Sequence, residues 1–335
     1  MLAFLLRRLL LTVPVLLGLT VLVFVIARML PGDPVALAAG PNATPGEIAQ
    51  YAREFGLDKP LWAQYWNYLS GLLRGDFGVS IFTRRPVIED LRAYLPATLE
   101  LVMAAMTLAV VIGVPMGLWA AVRRDRWPDT VSRVLALGAI SMPRFFLGLL
   151  LQLGLAMALN WLPLGGRFPI TEDTPIRVTG FLTLDAIFMG DWHALWVACQ
   201  HLFMPALAMS LSPLATIMRM MRASTLEVLQ QDYVLTERAL GLPERLIVSK
   251  YVARNAFSAT LTVIGLYFGW LLGGTVLVET VFDWPGLGLY ATKAVVTQDF
   301  MPIIGVTLVI GTLFVSVNLL VDVLYGWLNP KVRPA

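Results

Sequence analysis

Residues 219–254 read RMMRASTLEVLQQDYVLTERALGLPERLIVSKYVAR and carry charges of both signs in a chain that is otherwise strongly apolar. The runs on either side of them, residues 194–218 and 255–278, contain no Asp, Glu, Lys or Arg, and each is long enough to cross a bilayer. Anchoring alone does not require a polar segment between two spans. The pattern therefore indicates a docking surface on one side of a membrane.

The composition of the whole chain extends this membrane interpretation. Of the 335 residues, 58% are hydrophobic and 14% are charged, whereas soluble domains are about 25% charged. Six charge-free runs are long enough to span, and none alternates every second residue as a β-barrel strand would. We therefore predict an all-α polytopic membrane protein with six transmembrane helices, at residues 9–27, 101–122, 145–166, 194–218, 255–278 and 300–321.

The third span is the least well defined by sequence. Residues 134–143 are also apolar, so this helix could begin near Val131 and contain Pro143 and Arg144.

The placement of Lys and Arg predicts the orientation. They cluster on one side of the six spans, at residues 7–8, 123–133, 219–254 and 331–333, while acidic residues predominate on the other. The positive-inside rule then puts both termini and residues 219–254 in the cytoplasm. Because the basic residues flank spans and do not form one patch, nothing favours a nucleic-acid partner.

Two segments fall on the outer side. In residues 31–97, Thr44 and Glu47 form a capping box. A helix with one largely aromatic face is predicted after it by the helical spacing of Trp62, Tyr65, Trp66 and Leu69. That helix could lie at the membrane interface or pack against the bundle. We expect three parts: residues 1–30 as a cytoplasmic tip and first span, 31–97 as a helical periplasmic loop, and 98–335 as a core with a periplasmic segment at 163–193.

Catalytic motifs are missing from the sequence. There is no P-loop, no G-x-S-x-G and no H-E-x-x-H. Cys199 is the only cysteine, and His193 and His201 are the only histidines, so we expect no disulfide and no metal cluster. We predict that the chain is not an enzyme.

Arg144 is the most unusual charged residue near a span. It follows Ser141 and Pro143, and a charge at membrane depth usually marks a pathway or an ion pair. The alternative is that Arg144 extends to an interface because the third span begins there. As a hypothesis, Ser141, Pro143 and Arg144 line the substrate pathway, with Arg144 attracting a carboxylate.

Residues 219–254 themselves predict two helices. Ser224 and Glu227 match a capping box, and Gly241 suits the left-handed position that ends a helix. Pro243 fits the first turn of a second helix, with Glu244 at its N-terminal end. The expected unit is helix, glycine turn, helix. A solvated amphipathic connector is the alternative.

The segment Asp232-Tyr233-Val234-Leu235-Thr236-Glu237-Arg238-Ala239-Leu240-Gly241-Leu242 resembles the cytoplasmic coupling loop of ABC-importer permeases of the peptide/nickel branch. Other segments match that branch in order and spacing, and the closest likeness is to the B-type permease of dipeptide importers. They are Leu30-Pro31-Gly32-Asp33-Pro34, Gly56-Leu57-Asp58-Lys59-Pro60, Gly75-Asp76-Phe77-Gly78, Pro96-Ala97-Thr98-Leu99-Glu100, Glu279-Thr280-Val281-Phe282-Asp283-Trp284-Pro285-Gly286-Leu287-Gly288 and Asn329-Pro330.

The resemblance implies a type I ABC importer permease in the bacterial inner membrane that moves dipeptides or short oligopeptides by alternating access. Its implied partners are a second homologous permease, two ATPase subunits and a periplasmic binding protein. ATP and Mg²⁺ would bind the ATPases, and this chain would hold no cofactor. The implied coupling residues are Asp232, Tyr233, Thr236, Glu237, Arg238, Ala239, Gly241 and Leu242.

Departures from the family pattern and rival functions remain open. Leu235-Thr236-Glu237 stands where the general signature has Glu-Ala-Ala, and relatives tend to have basic residues at positions 235 and 240. An importer of a nickel chelate or another small solute is one alternative. An ion-coupled secondary transporter is another, although its inverted repeats and midplane carboxylates are not evident. A membrane enzyme or an assembly scaffold has less support.

Overall fold

Helices make up nearly all of the secondary structure, as the apolar runs predict. The computed structural model describes residues 2–29, 44, 46 and 59–328, with side chains at 10–26, 44, 46 and 59–324. The helices in this part of the chain are α1 (Leu2–Met29), α2 (Leu61–Leu73), α3 (Val87–Val122), α4 (Trp127–Ser141), α5 (Arg144–Ala158), α6 (Leu182–Met189), α7 (Trp192–Val228), α8 (Asp232–Ala239), α9 (Glu244–Gly273), α10 (Val276–Val281), α11 (Leu287–Val296) and α12 (Phe300–Leu328).

Four of these helices, α3, α7, α9 and α12, are long and apolar enough to cross a membrane, and α4 with α5 makes a fifth if the bent pair counts as one span. Helix α1 contains a shorter apolar stretch, Leu10–Ile26. The described residues thus agree with an all-α polytopic protein and are consistent with six spans. The predicted runs 9–27, 101–122, 194–218 and 300–321 each lie inside one helix.

The third predicted span, residues 145–166, is helical only as far as Ala158, where α5 ends. The apolar residues before it form the separate helix α4. Helix α4 ends at Ser141, α5 begins at Arg144, and their axes differ by 100°. The cause is Pro143, whose ring disfavours the helical conformation at the preceding residue, and Met142 is extended at φ −94° and ψ 123°. A continuous helix through Pro143, the alternative left open by the sequence, is also excluded.

The fifth predicted span, residues 255–278, also ends early. Helix α9 stops at Gly273, and the chain begins the short helix α10 at Val276. Helices α10 and α11 then form a hairpin that packs back against α3 and α5.

The centre of the fold is the contact between α3 and α7. At Gly113, a Cβ atom would lie 3.0 Å from the carbonyl oxygen of Leu214, and at Gly117 it would overlap the carbonyl oxygen of Met218. The two backbones therefore approach closely only because neither position has a side chain. Gly113 and Gly117, four residues apart, thus form a small face on α3.

A second small face joins α9 to α12. Gly265 and Gly269 lie against Val321 and Phe314, whereas nothing lies within 4 Å of a Cβ at Gly273. The face that contacts α12 is therefore formed by Gly265 and Gly269, and Gly273 is not part of it.

The predicted aromatic face of α2 divides into two. Tyr65 contacts Phe24 of α1 edge to face, and its hydroxyl is 2.9 Å from that of Thr20. Trp62 and Trp66 point away, at 75% and 66% exposed. The helix thus packs on α1 and presents tryptophans outward. Glu47 of the predicted capping box lies outside the described residues.

We predict that Gly117→Ala destabilises the fold by about 1–3 kcal/mol or more, because the added methyl forces α3 and α7 apart. Gly138→Ala is the matched control, since Gly138 is also in a helix but has nothing within 4 Å of its Cβ position. There, alanine should be neutral or stabilise by up to about 1 kcal/mol. Thermal unfolding of the purified protein in detergent measures both, and equal shifts would contradict the packing argument.

Candidate functional site

Helix α8 is a short polar helix between two long apolar ones. Gln231 precedes it in an extended conformation, Asp232 lies in its first turn and Arg238 in its last, so the charges complement the helix dipole. Val234 is its fully buried residue and packs with Ile247 and Val252 of α9. One side of α8 is thus fixed to the start of the next span.

Gly241 ends α8 in the way that the sequence predicts. Its φ is +76°, in the left-handed region. The N–H of Gly241 donates to the Arg238 carbonyl oxygen at 3.0 Å, and the N–H of Leu242 donates to that of Glu237 at 3.2 Å. These two bonds are the Schellman arrangement, and Leu242 packs into the Val234 cluster.

Side-chain bonds close the turn between α8 and α9. The Arg238 guanidinium donates to both carboxylate oxygens of Glu244, at 3.1 and 2.6 Å, and this bond raises the pKa of Arg238. The Asn255 amide donates to the Tyr233 hydroxyl at 2.8 Å. Pro243 occupies the position before α9, one residue earlier than expected. The pair of helices is therefore internally braced.

The outer side of α8 carries no such partners. Leu235 and Leu240 are 54% and 74% exposed, and Ala239 between them is also exposed. Most of the predicted coupling residues are exposed as well, namely Asp232, Tyr233, Thr236, Arg238, Ala239 and Gly241, whereas Glu237 and Leu242 are half-buried. We call the exposed Leu235, Ala239 and Leu240 the α8 apolar strip.

The predicted start of this unit is wrong. Ser224 is buried in the interior of α7, which continues to Val228, so Ser224 and Glu227 cap nothing. The long transmembrane helix extends past the apolar run because its last turns pack against the rest of the bundle. Helix α8 begins only at Asp232.

A buried ion pair ties α7 to α4 just before this unit. The Arg222 guanidinium donates to both oxygens of Asp129, at 2.6 and 2.9 Å, and Asp129 is fully buried. Arg133 also lies 3.3 Å from Asp129. Arg222 and Asp129 therefore attach α4 to α7 near the end of α7 that leads into α8.

At the opposite end of the bundle, two family-like motifs that are far apart in sequence meet. Thr98 donates to the fully buried Glu279 at 2.7 Å and accepts from the Leu287 N–H at 2.7 Å. The Trp284 indole donates to the Ala97 carbonyl oxygen at 2.9 Å. Gly286 also contacts Glu279, since a Cβ there would lie 2.5 Å from the carboxylate. These contacts fix the α10–α11 hairpin to α3.

Arg167 links the segment before α6 to the same region. It pairs with Glu100, with both groups more than nine-tenths buried, and donates to the Gly180 carbonyl oxygen at 2.7 Å.

Burial raises the pKa of the nearby Asp185, but hydrogen bonds from Thr179 and Gly180 outweigh this effect, and the pKa of Asp185 lies below its ordinary value. Asp185 therefore stabilises the fold at neutral pH, and this contribution is lost as the pH falls through its folded pKa.

The three predicted pathway residues meet at one place, the break between α4 and α5. Ser141 and Pro143 are exposed, and Arg144 is half-buried. They lie far along the bundle from α8, so the structure does not join the two predicted sites.

In the described residues, no cluster of three His, Cys, Asp or Glu side chains could hold a metal ion. His201 is packed, with its Nδ1 3.0 Å from the Gly165 carbonyl oxygen.

Comparison with known proteins assigns the family. Residues 113–334 match the model of the binding-protein-dependent transport system inner membrane component, and residues 1–102 match that of the N-terminal part of such membrane components. The chain belongs to this family. It is a transport permease, which is a membrane protein and not an enzyme.

Individual relatives cover the permease almost from end to end. It is 41% identical over 333 residues to the dipeptide transport system permease protein of Alkalihalophilus pseudofirmus, with 99% of this chain and 100% of the relative covered. It is 43% identical to the probable D,D-dipeptide transport system permease protein of Escherichia coli K12, covering 94% and 93%. The glutathione transport system permease protein of that strain is 39% identical, covering 99% of each chain.

Sequence reasoning missed several residues that hold this permease together. Arg167, Arg222 and Asp129 gave no signal beyond their charge, because their partners are distant in sequence. The sequence showed that the motifs at residues 96–100 and 279–288 resemble one family. It did not show that these two motifs contact each other. Residues 30–34, 56–58 and 329–330, which also carry the resemblance, lie outside the described part of the chain.

We predict that Thr98→Val destabilises the permease, because it leaves the Leu287 N–H without its acceptor and removes a donor from Glu279. Each buried group left unpaired costs about 1–3 kcal/mol. Thr280→Val is the control: its hydroxyl donates to the Val276 carbonyl oxygen within the same helix and is exposed. Thermal unfolding in detergent should show a loss for the first variant only. A similar loss of thermal stability in both variants would contradict the stabilising role that we assign to the Thr98 hydrogen bonds.

Proposed function

We propose that the chain is the permease subunit of an ATP-driven importer of dipeptides or short oligopeptides in a bacterial inner membrane. Both termini and α8 would face the cytoplasm. Support comes from family membership, from the side that the basic residues occupy, and from relatives named for dipeptide, D,D-dipeptide and glutathione transport.

The observation that carries the proposal is the combination of a braced α8 and an exposed apolar strip. An ATPase subunit would receive Leu235, Ala239 and Leu240 in a groove on its surface, while Arg238 and Asp232 contact the rim. Because Val234 and the Gly241 turn fix α8 to α7 and α9, a displacement of α8 moves those spans. Coupling requires that the partner contacts differ between two global states.

The remaining partners follow from the same assignment. A second homologous permease would complete the pathway, two ATPase subunits would bind ATP and Mg²⁺, and a periplasmic binding protein would deliver the peptide. The outer region, where α10–α11 packs on α3, would face that binding protein. Residues 31–97 and 163–193 would form the periplasmic segments.

The direct test is peptide uptake by the complete transporter in proteoliposomes. Uptake of a labelled dipeptide should require this chain and should stop when the P-loop lysine of the ATPase is replaced. Uptake that survives that replacement and follows an ion gradient would contradict the proposal in favour of a secondary transporter.

For coupling, we predict that Gly241→Val reduces peptide uptake per ATP hydrolysed about fivefold or more. A residue with a Cβ at φ +76° costs about 1–2 kcal/mol, and valine is among the least tolerated there. The turn would rearrange and α8 would lose its rigid attachment. Gly241→Asn is the control, because asparagine accepts the left-handed conformation. Wild-type uptake per ATP in the valine variant would show that the turn is not part of coupling.

A further inference from the structure

The break between α4 and α5 lies at membrane depth. Asp129, near the start of α4, is held by Arg222 next to the charged residues 123–126, so it marks one membrane boundary. From there, α4 carries the chain about 18 Å to Ser141 at 1.5 Å per residue. Since the hydrocarbon core is about 30 Å thick, α4 ends and α5 begins inside it.

The backbone at this depth is irregular and exposed. Ser141, Met142 and Pro143 are all exposed, and Met142 is extended. Non-helical backbone at membrane depth occurs only where protein covers it or where it lines a water-filled cavity, because its polar groups cannot be left in lipid. The break therefore faces water or a protein partner and not the acyl chains.

Arg144 is a positive charge at the same place with no ion-pair partner in the part of the chain that the structure describes. Arg167 and Arg222, by contrast, each pair with a carboxylate. Its Nη1 lies 2.8 Å from where a Cβ at residue 274 would be, so the glycine at the end of α9 makes room for the guanidinium. A charge inside the membrane without an ion-pair partner in the described part of its own chain requires water, an anionic ligand or a group from a neighbouring subunit.

We infer that Arg144 lines the water-filled translocation pathway and binds the carboxylate of the passing substrate. The inference rests on the proposed function, in which the cargo is a short peptide with a free C-terminal carboxylate. A guanidinium can bind a carboxylate through two parallel hydrogen bonds. In a water-filled pathway, a single guanidinium would hold the ligand weakly enough to release it.

Two polar residues near the break, Tyr267 and Thr216, support this arrangement. Tyr267 interacts electrostatically with Arg144, and its hydroxyl is 2.9 Å from that of Thr216. Tyr267 and Thr216 belong to α9 and α7, the two helices that flank α8. The carboxylate site is therefore in contact with the elements that coupling would move, which fits a site that exists in one state of the cycle and is disrupted in the other.

The test replaces the charge and then restores it chemically. In a Cys199→Ser background, which removes the only native cysteine, Arg144→Cys should lower the maximal uptake of labelled L-alanyl-L-alanine by the complete transporter about tenfold or more. Reaction with a cationic aminoethyl thiosulfonate should recover at least a third of the uptake. Reaction with an anionic sulfonatoethyl thiosulfonate should recover none.

Each other result overturns the inference. Failure of both reagents to react would mean that position 144 is not in a water-filled pathway. Uptake within twofold of the parent before modification, no recovery with the cationic reagent, or equal recovery with both reagents would mean that the positive charge does not bind substrate.

Arg126→Cys in the same background is the matched control. Arg126 is exposed beside the start of α4, so the cysteine should react with both reagents without changing uptake. Protein amounts in the membrane and ATP hydrolysis are measured for every variant, so that a folding defect is recognised. If the Cys199→Ser parent transports neither this dipeptide nor a panel of others, the proposal that the substrate is a peptide is wrong. That result would be independent of Arg144, which is unchanged in the parent.

Discussion

The rest of the structure depends on the close approach of α3 and α7. Gly113 and Gly117 let the two backbones touch along the middle of the bundle, where lipid offers no hydrophobic force to bring helices together. The ends of the same two helices carry the main polar contacts. Arg222 of α7 holds α4 through Asp129, and Thr98 of α3 holds the α10–α11 hairpin through Glu279. A single packed pair thus connects both ends of the molecule.

The position of α8 follows from this arrangement. Helix α7 continues past its apolar run to Val228, and only three residues separate it from α8. The Val234 cluster and the Gly241 turn then attach α8 to α9. As a result, the exposed α8 apolar strip is presented on a rigid support. In the proposed importer, this rigidity converts a conformational change of an ATPase subunit into movement of the spans.

The interruption of the third span has a different role. Pro143 ends α4, and the chain resumes at a 100° angle with Arg144 as its first helical residue. In the pathway that we infer, polar groups are needed inside the membrane, and regular apolar helices offer few of them. A broken helix supplies both exposed backbone and a charge, and it does so without disturbing the α3–α7 contact.

The sequence by itself determined the fold class, four of the six apolar runs as parts of single helices, the glycine that ends α8, and the family likeness. These features are local, because charge-free length, the left-handed preference of glycine and motif order are all readable along the chain. The start of α8, the bend at Pro143 and the division of the α2 face were decided by the tertiary structure. So were the pairs Arg222–Asp129, Arg167–Glu100 and Thr98–Glu279, because their partners are 67 to 181 residues apart. Which distant charges and small faces meet is determined by packing, and no local sequence pattern encodes these pairings.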